Sequence, residues 1–371
     1  MNRLLINTEA ILHNYGYIKR LVGMHDSSLT VVTKALCGQT ETIAALVKGG
    51  INSIADSRLE NLKAITESGV KAERWYLKPP HPEELSEVVK YSDVSLNTEL
   101  GTVKEINEVA EKAGVKHRIL LMIELGDLRE GILPGTLVEM YNDVFNLNNI
   151  EIIGIGTNLG CLSGTVPGMD QLMQLVLYKE LLELKFNRKI QLLSAGSSAS
   201  LPFLIQGLVP RQVNHFRVGE SILLGSDLMG GGILAGLRDD GFILEAGVVE
   251  IKKKNLAPTG EIHDELQPFN SNSPGEQKQY APGERGFRAV VTIGELDTNI
   301  AGLTPLNSEY EIAGASSDLT VLNVGSADSN LKVGDFMRFR VSYSALIRLM
   351  NNKYTEKQVI PSAESRFSDG I

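Results

Sequence analysis

Two cysteines, Cys37 and Cys161, are all that the 371 residues contain. So few thiols exclude a disulfide framework and suit a reducing cytosol. Positive charge is also scarce. Lys and Arg number 36 against 45 Asp and Glu, a net charge of −9, which argues against nucleic acid or an anionic membrane as the main partner. No apolar run is long enough to span a bilayer, and the N-terminus MNRLLINTEA lacks a signal-peptide core. A cytoplasmic protein is the expectation, with no membrane partner and no metal site. Apolar residues at 43% and charged residues at 22% describe an ordinary globular chain, long enough for two domains.

The most informative stretch is LTVVTKALCGQ, Leu29 to Gln39. Leu29–Val32 reads as a short buried strand, and Lys34 stands at its mouth before a turn of small residues. An amine there can be partly desolvated, which lowers its proton affinity and makes it a nucleophile or Schiff-base former. For one strand taken alone, a lysine that snorkels to solvent is the simpler reading.

The rest of the chain changes those odds. Arg3–Ile6 reads as a strand and the segment from Thr8 as a helix. Strands at Leu29–Val32, Ile51–Ala55, Trp75–Leu77, Asp93–Leu96, His117–Glu124, Ile150–Gly156, Ile190–Leu193 and Gln212–Phe216 then alternate with helices. Ser57 is a plausible N-cap for the helix that follows it. Eight βα units within about 200 residues are what a (β/α)8 TIM-type barrel requires, with a doubly wound open sheet as the rival. At the strand exits stand Lys34, Asp56-Ser57-Arg58, Lys78, Asn97, Asp127-Leu128-Arg129, Asn158, Ser197-Ser198 and Arg217. A barrel gathers such ends on one face, where catalytic groups meet.

After Arg217 the character changes. Gly230-Gly231-Gly232 and Arg238-Asp239-Asp240-Gly241 are breakers. Strand-like segments follow at Phe242–Lys252, Gly286–Ile293, Tyr310–Val324 and Asp335–Ser342. The boundaries expected are a barrel over 7–233 and a mainly β domain over 234–371, with residues 1–6 adding a strand to the latter. His263–Gly286 reads as a mobile loop and the tail after Pro361 as disordered.

Two later stretches complement Lys34. Ser194–Ser200, SAGSSAS, is a loop of small residues that can offer N–H groups and hydroxyls to an anion. His215–Ser221, HFRVGES, adds a fixed cation in Arg217 and a close backbone approach at Gly219. A reactive lysine, a phosphate cradle and an arginine suit a phosphorylated carbonyl cofactor.

VVTKALCG, GDLREG, TNLGC, SAGSSAS and FRVGESILLG occur in the order and spacing of alanine racemase-like enzymes, and the chain resembles that family from Ile6 to about Lys357. ADSRLENL, SLNTE, GDLREGI, GASSD and YSALIRLM resemble its ornithine racemase branch. The resemblance implies a fold type III pyridoxal-phosphate enzyme, a barrel followed by a β domain, acting on a small amino acid as a homodimer with shared active sites. Lys34 would hold the cofactor covalently and move the α-proton on one face. Ser197, Ser198, Gly219 and Glu220 would bind its phosphate. Arg217 would face the ring nitrogen, Asn158 would approach the ring, and Arg129 would meet the substrate carboxylate.

One departure stands out. The family's C-terminal tyrosine, the second acid/base, has no counterpart in Ile293–Asp297, where Glu295 and Asp297 stand instead. Asp297 fits the family pattern better as the second catalytic group, though it fits a structural turn equally well. Glu295 and the cluster Ser316, Ser317 and Asp318 are candidates for substrate binding. The implied activity is racemisation of ornithine. Alternatives are lysine, alanine or broad specificity, a non-catalytic pyridoxal-phosphate carrier, and a decarboxylase on a related barrel.

Overall fold

The computed structural model describes residues 2–261, 280–281, 283–325 and 330–360. Most of the segment read as a mobile loop from His263, and the tail from Pro361, lie outside the described residues. Among the described residues, two compact units separate: Ile11–Arg238, and residues up to Ala10 together with those from Asp239 on.

The first unit is a closed parallel barrel. Its strands are β2 (Ser28–Val32), β3 (Ser53–Asp56), β4 (Glu73–Tyr76), β5 (Val94–Asn97), β6 (His117–Met122), β7 (Ile150–Gly156), β8 (Leu192–Gly196) and β9 (His215–Val218), β1 being Arg3–Asn7 of the other unit. Each pairs with the next, and β9 closes on β2 with Arg217 opposite Thr30. Closure rules out the open sheet.

Strand alternation divides the interior into two arcs. Ala55, Trp75, Val94, Leu96, Leu120, Met122 and Ile153 form one buried apolar cluster. Ser53 and Glu73 precede Ala55 and Trp75 by one period of the pleat, so they share that inward face. Trp75 lies flat on His215, with ring centroids 4.7 Å apart, which places His215 and Arg217 inside as well. The interior is therefore apolar around the Trp75 cluster and polar where Ser194, His215, Arg217, Thr30, Ser53 and Glu73 meet.

Several strand boundaries differ from the sequence reading, for physical reasons. The eighth barrel strand runs Leu192–Gly196 and not Ile190–Leu193, because Gly196 lets it pass where any Cβ would lie 2.0 Å from the Phe216 ring. The last strand runs His215–Val218 and not Gln212–Phe216. Its polar residues are buried inside the barrel instead of marking the exit. Ser57 is not the N-cap of the next helix, which spans Leu59–Glu67. The N-cap is Arg58, without a side-chain cap, and Asp56 Oδ1 braces the approach to the helix by accepting from Arg58 N at 2.9 Å and Asn61 Nδ2 at 3.0 Å.

The second unit is a largely antiparallel sheet. Its strands are β1, β10 (Phe242–Asn255), β11 (Arg285–Val291), β12 (Leu303–Pro305), β13 (Glu311–Ala315), β14 (Thr320–Asn323), β15 (Phe336–Val341) and β16 (Glu356–Ile360), ordered β12-β15-β10-β11-β14-β13. β1 pairs antiparallel with β10 and parallel with β16. The segment read as one strand over Tyr310–Val324 is a hairpin, turning where Ser316 N bonds Leu319 O at 2.8 Å. No helix among the described residues is long and apolar enough to cross a membrane.

Candidate active site

Lys34 does not sit within a strand. β2 ends at Val32, and Lys34 opens a short 3-10 turn, Lys34–Leu36, that closes with Cys37 in the left-handed region at φ 49°. The lysine is exposed. The desolvation expected of it is not found, and its amine stands open at the C-terminal mouth of the barrel. Beside it lies Asp56, at the end of β3. Its carboxylate is fully buried, and among the described residues Oδ2 has no hydrogen-bond partner. Burial pushes the Asp56 carboxyl up to about 6, against the opposing pull of two N–H donors, Asn61 and the charge of Lys34.

The expected phosphate cradle is assembled from two short turns. Ser198–Ser200 follows β8 and Glu220–Leu224 follows β9, and Ser221 N donates to Ser198 Oγ at 3.3 Å. Ser197 Oγ is buried and has no hydrogen-bond partner among the described residues. Gly219 packs against β2, where an added Cβ would lie 3.0 Å from the Val32 side chain and 3.1 Å from its carbonyl oxygen. That contact draws the cradle towards the end of β2, just before the turn that carries Lys34. The carboxyl of half-buried Glu220 is held above its usual range by desolvation.

Arg217 is buried, and its proton affinity is lowered to about 10 by the loss of water. Its Nη1 donates to Ser194 O at 3.1 Å and to Ser194 Oγ. Its Nη2 donates to Thr157 O at 2.9 Å and to Asn158 Oδ1 at 2.7 Å. A guanidinium carries five N–H donors. Four are committed to neutral acceptors, and among the described residues only Nε–H has no hydrogen-bond partner. A ring nitrogen with a lone pair fits that donor. Together with the unpartnered Ser197 hydroxyl, the space left by Gly219 and the open lysine, the site fits a phosphorylated pyridine aldehyde.

Asn158 links Arg217 to a residue that the sequence reading missed. Its Nδ2 donates to Glu130 Oε1 at 2.6 Å, and Glu130 also accepts from Arg129. Arg129, expected to meet a substrate carboxylate, is thus already paired, and that pairing raises its proton affinity further. Its Nη1 lies 2.6 Å from Cys161 Sγ. The arch carrying these groups is tied internally by carboxylates. Asp127 accepts from the backbone of Cys161, Leu162 and Ser163 at 3.0–3.3 Å. Glu124 accepts from Leu128 N at 3.1 Å, Arg129 N at 3.2 Å and also Gly126 N.

The β unit brings its two candidate clusters together. Glu295 N bonds Ser316 O and Leu296 N bonds Ser317 O, both at 3.0 Å. Asp297 is a turn residue here. Its Oδ2 accepts from Gly294 N at 3.1 Å and its Oδ1 from Asn352 Nδ2 at 2.9 Å. Among the described residues, Glu295 and Asp318 have no side-chain bond or ion pair, and Asp318 is exposed. Ser194 and His215 stood within the stretches that the sequence reading singled out but were given no role of their own. Period-two spacing back from Arg217 would have found His215, since both lie on one face of β9.

A closed barrel with a lysine after its first strand, an anion cradle after its last two, and a buried arginine between them defines a fold type III pyridoxal-phosphate site. The chain belongs to the alanine racemase family, whose members are pyridoxal-phosphate-dependent racemases: the alanine racemase N-terminal domain matches residues 6–227. An ornithine racemase from Acetoanaerobium sticklandii is 33% identical over 96% of this chain and 99% of its own length. A lysine racemase from Thermotoga maritima is 32% identical over 97% and 99%. The alanine racemase of Bartonella henselae, solved with covalently bound pyridoxal phosphate, superposes with a TM-score of 0.71 at 14% identity, covering 97% of this chain and 99% of its own.

Proposed function

We propose that this racemase interconverts the enantiomers of a diamino acid, ornithine first and lysine second. The observation that carries the reading is the acidic patch of Glu295 and Asp318 where the family's second acid/base is expected, together with two nearly full-length relatives that are named for diamino acids. A carboxylate there can pair with a distal ammonium, which alanine lacks.

Pyridoxal phosphate, when bound, supplies the electron withdrawal that makes the α-C–H of an amino acid acidic. The rest is done by the chain. Lys34 would hold the cofactor, with Ser197, Ser198 and the backbone of Gly219 and Glu220 on its phosphate. Arg217 presents a cation to the ring nitrogen and denies it a proton, which moderates the withdrawal and disfavours side reactions such as transamination. Lys34 Nζ takes or returns the α-proton on one face. A second group must serve the other face, and a carboxylate of the β unit, Glu295 before Asp297, is the candidate, supplied by the partner chain of a homodimer.

Arg129 can receive the substrate carboxylate only by sharing or releasing Glu130. The test uses single-enantiomer ornithine, lysine and alanine in deuterated water, following optical rotation and exchange at the α-carbon. Ornithine or lysine should lose rotation at least tenfold faster than alanine. Faster turnover of alanine would refute the diamino-acid reading. Exchange without loss of rotation would refute the opposite-face mechanism.

A further inference from the structure

A single line of hydrogen bonds crosses the barrel interior from Arg217 to the opposite mouth. Arg217 Nη1 donates to Ser194 Oγ, and Ser194 Oγ lies 2.7 Å from His215 Nδ1. His215 Nε2 lies 2.9 Å from Thr30 Oγ1, which lies 2.8 Å from Ser53 Oγ. Ser53 Oγ donates to Glu73 Oε2 at 3.1 Å. Glu73 is held in turn by Trp75 Nε1 at 2.8 Å and Arg118 Nη1 at 2.9 Å.

The two ends fix every proton between them. A guanidinium can only donate and a carboxylate can only accept, while each hydroxyl has one proton to give. Ser53 gives its proton to Glu73, so Thr30 must give to Ser53. Thr30 must then accept from His215, which makes Nε2–H the protonated nitrogen and Nδ1 the acceptor. Ser194 therefore donates to Nδ1, and its lone pair faces Arg217. His215 is buried, and desolvation followed by the charge of Arg217 holds its proton affinity down at about 3, so it stays neutral as this order demands.

A chain pinned at both ends cannot reverse, so it does not suit proton conduction. It suits holding a group still. The guanidinium is planar, and fixing its two Nη groups fixes the direction of Nε–H.

We propose that Ser194, His215 and Thr30 are positioning residues that aim Arg217 at the cofactor's ring nitrogen through this one-way chain anchored on Glu73. The proposal rests on the cofactor reading of the site. Removing the Thr30 hydroxyl would leave His215 Nε2–H without an acceptor. The ring could then carry its proton on Nδ1, and Ser194 would lose the partner that keeps its lone pair towards Arg217.

The test compares Thr30→Val, which keeps the shape, with Thr30→Ser, which keeps the hydroxyl. Both are loaded with pyridoxal phosphate labelled at the ring nitrogen. In Thr30→Val the ring-nitrogen NMR resonance should move, and kcat should fall roughly tenfold with KM within about twofold of wild type. Thr30→Ser should match wild type in all three. A Thr30→Val enzyme with the wild-type resonance, whatever its rate, would overturn the proposal, as would equal impairment of the two variants. If Thr30→Val does not fold, Ser53→Ala against Ser53→Thr carries the same comparison one link further from the site. A wild-type protein that takes no cofactor onto Lys34 would remove the site reading itself, and with it the proposal.

Discussion

Asp56 is the residue whose environment is least comfortable, and it lies beside the proposed catalytic lysine. This buried carboxyl, with one oxygen that has no hydrogen-bond partner among the described residues, is held at about 6, well above the ordinary aspartate range. A shift of that size corresponds to roughly 3 kcal/mol between the two protonation states. The sign follows from linkage. The folded chain binds this proton more tightly than the unfolded one, so Asp56 favours folding below its unfolded value. That contribution is lost as pH rises through about 6. Asp56→Asn keeps an acceptor for Arg58 N and Asn61 while removing the charge. It should therefore stabilise the protein at pH 8 by about 1–3 kcal/mol and leave it nearly unchanged at pH 4, as urea unfolding at both values would show. Equal effects at the two values would mean that the carboxyl is not strained by burial. Activity in the same variant should fall, because the neutral side chain no longer places a negative charge beside Lys34.

At the scale of elements, the turn after β9 decides how close the phosphate cradle comes to the lysine. Gly219 has an ordinary negative φ of −124°. Its need for glycine is therefore steric and not conformational. Gly219→Ala would press a methyl on Val32 at about the separation where one side must yield. It should weaken cofactor binding by about tenfold or more, read as loss of cofactor absorbance on dilution, with little change in thermal stability. An alanine variant that retains cofactor would show that the turn can shift without cost.

The same elements show what could be read from the chain. Eight strands were legible because their cores are apolar runs of β-branched and aliphatic residues, and Lys34, Ser197, Ser198 and Gly219 stood beyond their ends, while Arg217 proved to lie within the last of them. The polar arc was not legible, since period-two patterning looks for apolar residues inside. His215 and Ser194 therefore read as the edge of a strand or loop when they are its interior. Glu130 stood in view within GDLREG, but its role depends on Asn158 and Arg129 arriving from different loops, and no spacing encodes that meeting. Asp297 shows the reverse case. A carboxylate in the expected place is occupied by Gly294 and Asn352, and Glu295 beside it is the freer group.

For the whole molecule, inversion of a stereocentre needs proton transfer on two opposite faces, and Lys34 can serve only one of them. The barrel mouth supplies mostly binding groups. Its carboxylates Glu124, Asp127 and Glu130 are bonded to backbone or to Arg129 and Asn158, and Asp56 is held at the end of β3 by Arg58 N and Asn61. Glu295 and Asp318, carboxylates without a side-chain partner among the described residues, lie in the β unit, which motivates sites completed by the partner chain of a homodimer. Lys34→Ala and the double variant Glu295→Gln with Asp318→Asn should each lose at least about a hundredfold in rate, since each removes one acid/base or substrate anchor. Mixed by joint refolding in equal amounts, half the dimers would carry one chain of each kind. If sites are shared, every mixed dimer has one site with all the lesions and one with none, so activity should return to about a quarter of wild type. If each site is built within one chain, every site keeps a lesion and the mixture stays inactive. Heterodimers proven by differential tags and still inactive, or a chain that sediments as a monomer at working concentration, would eliminate the shared site and move the search for the second acid/base back to the barrel.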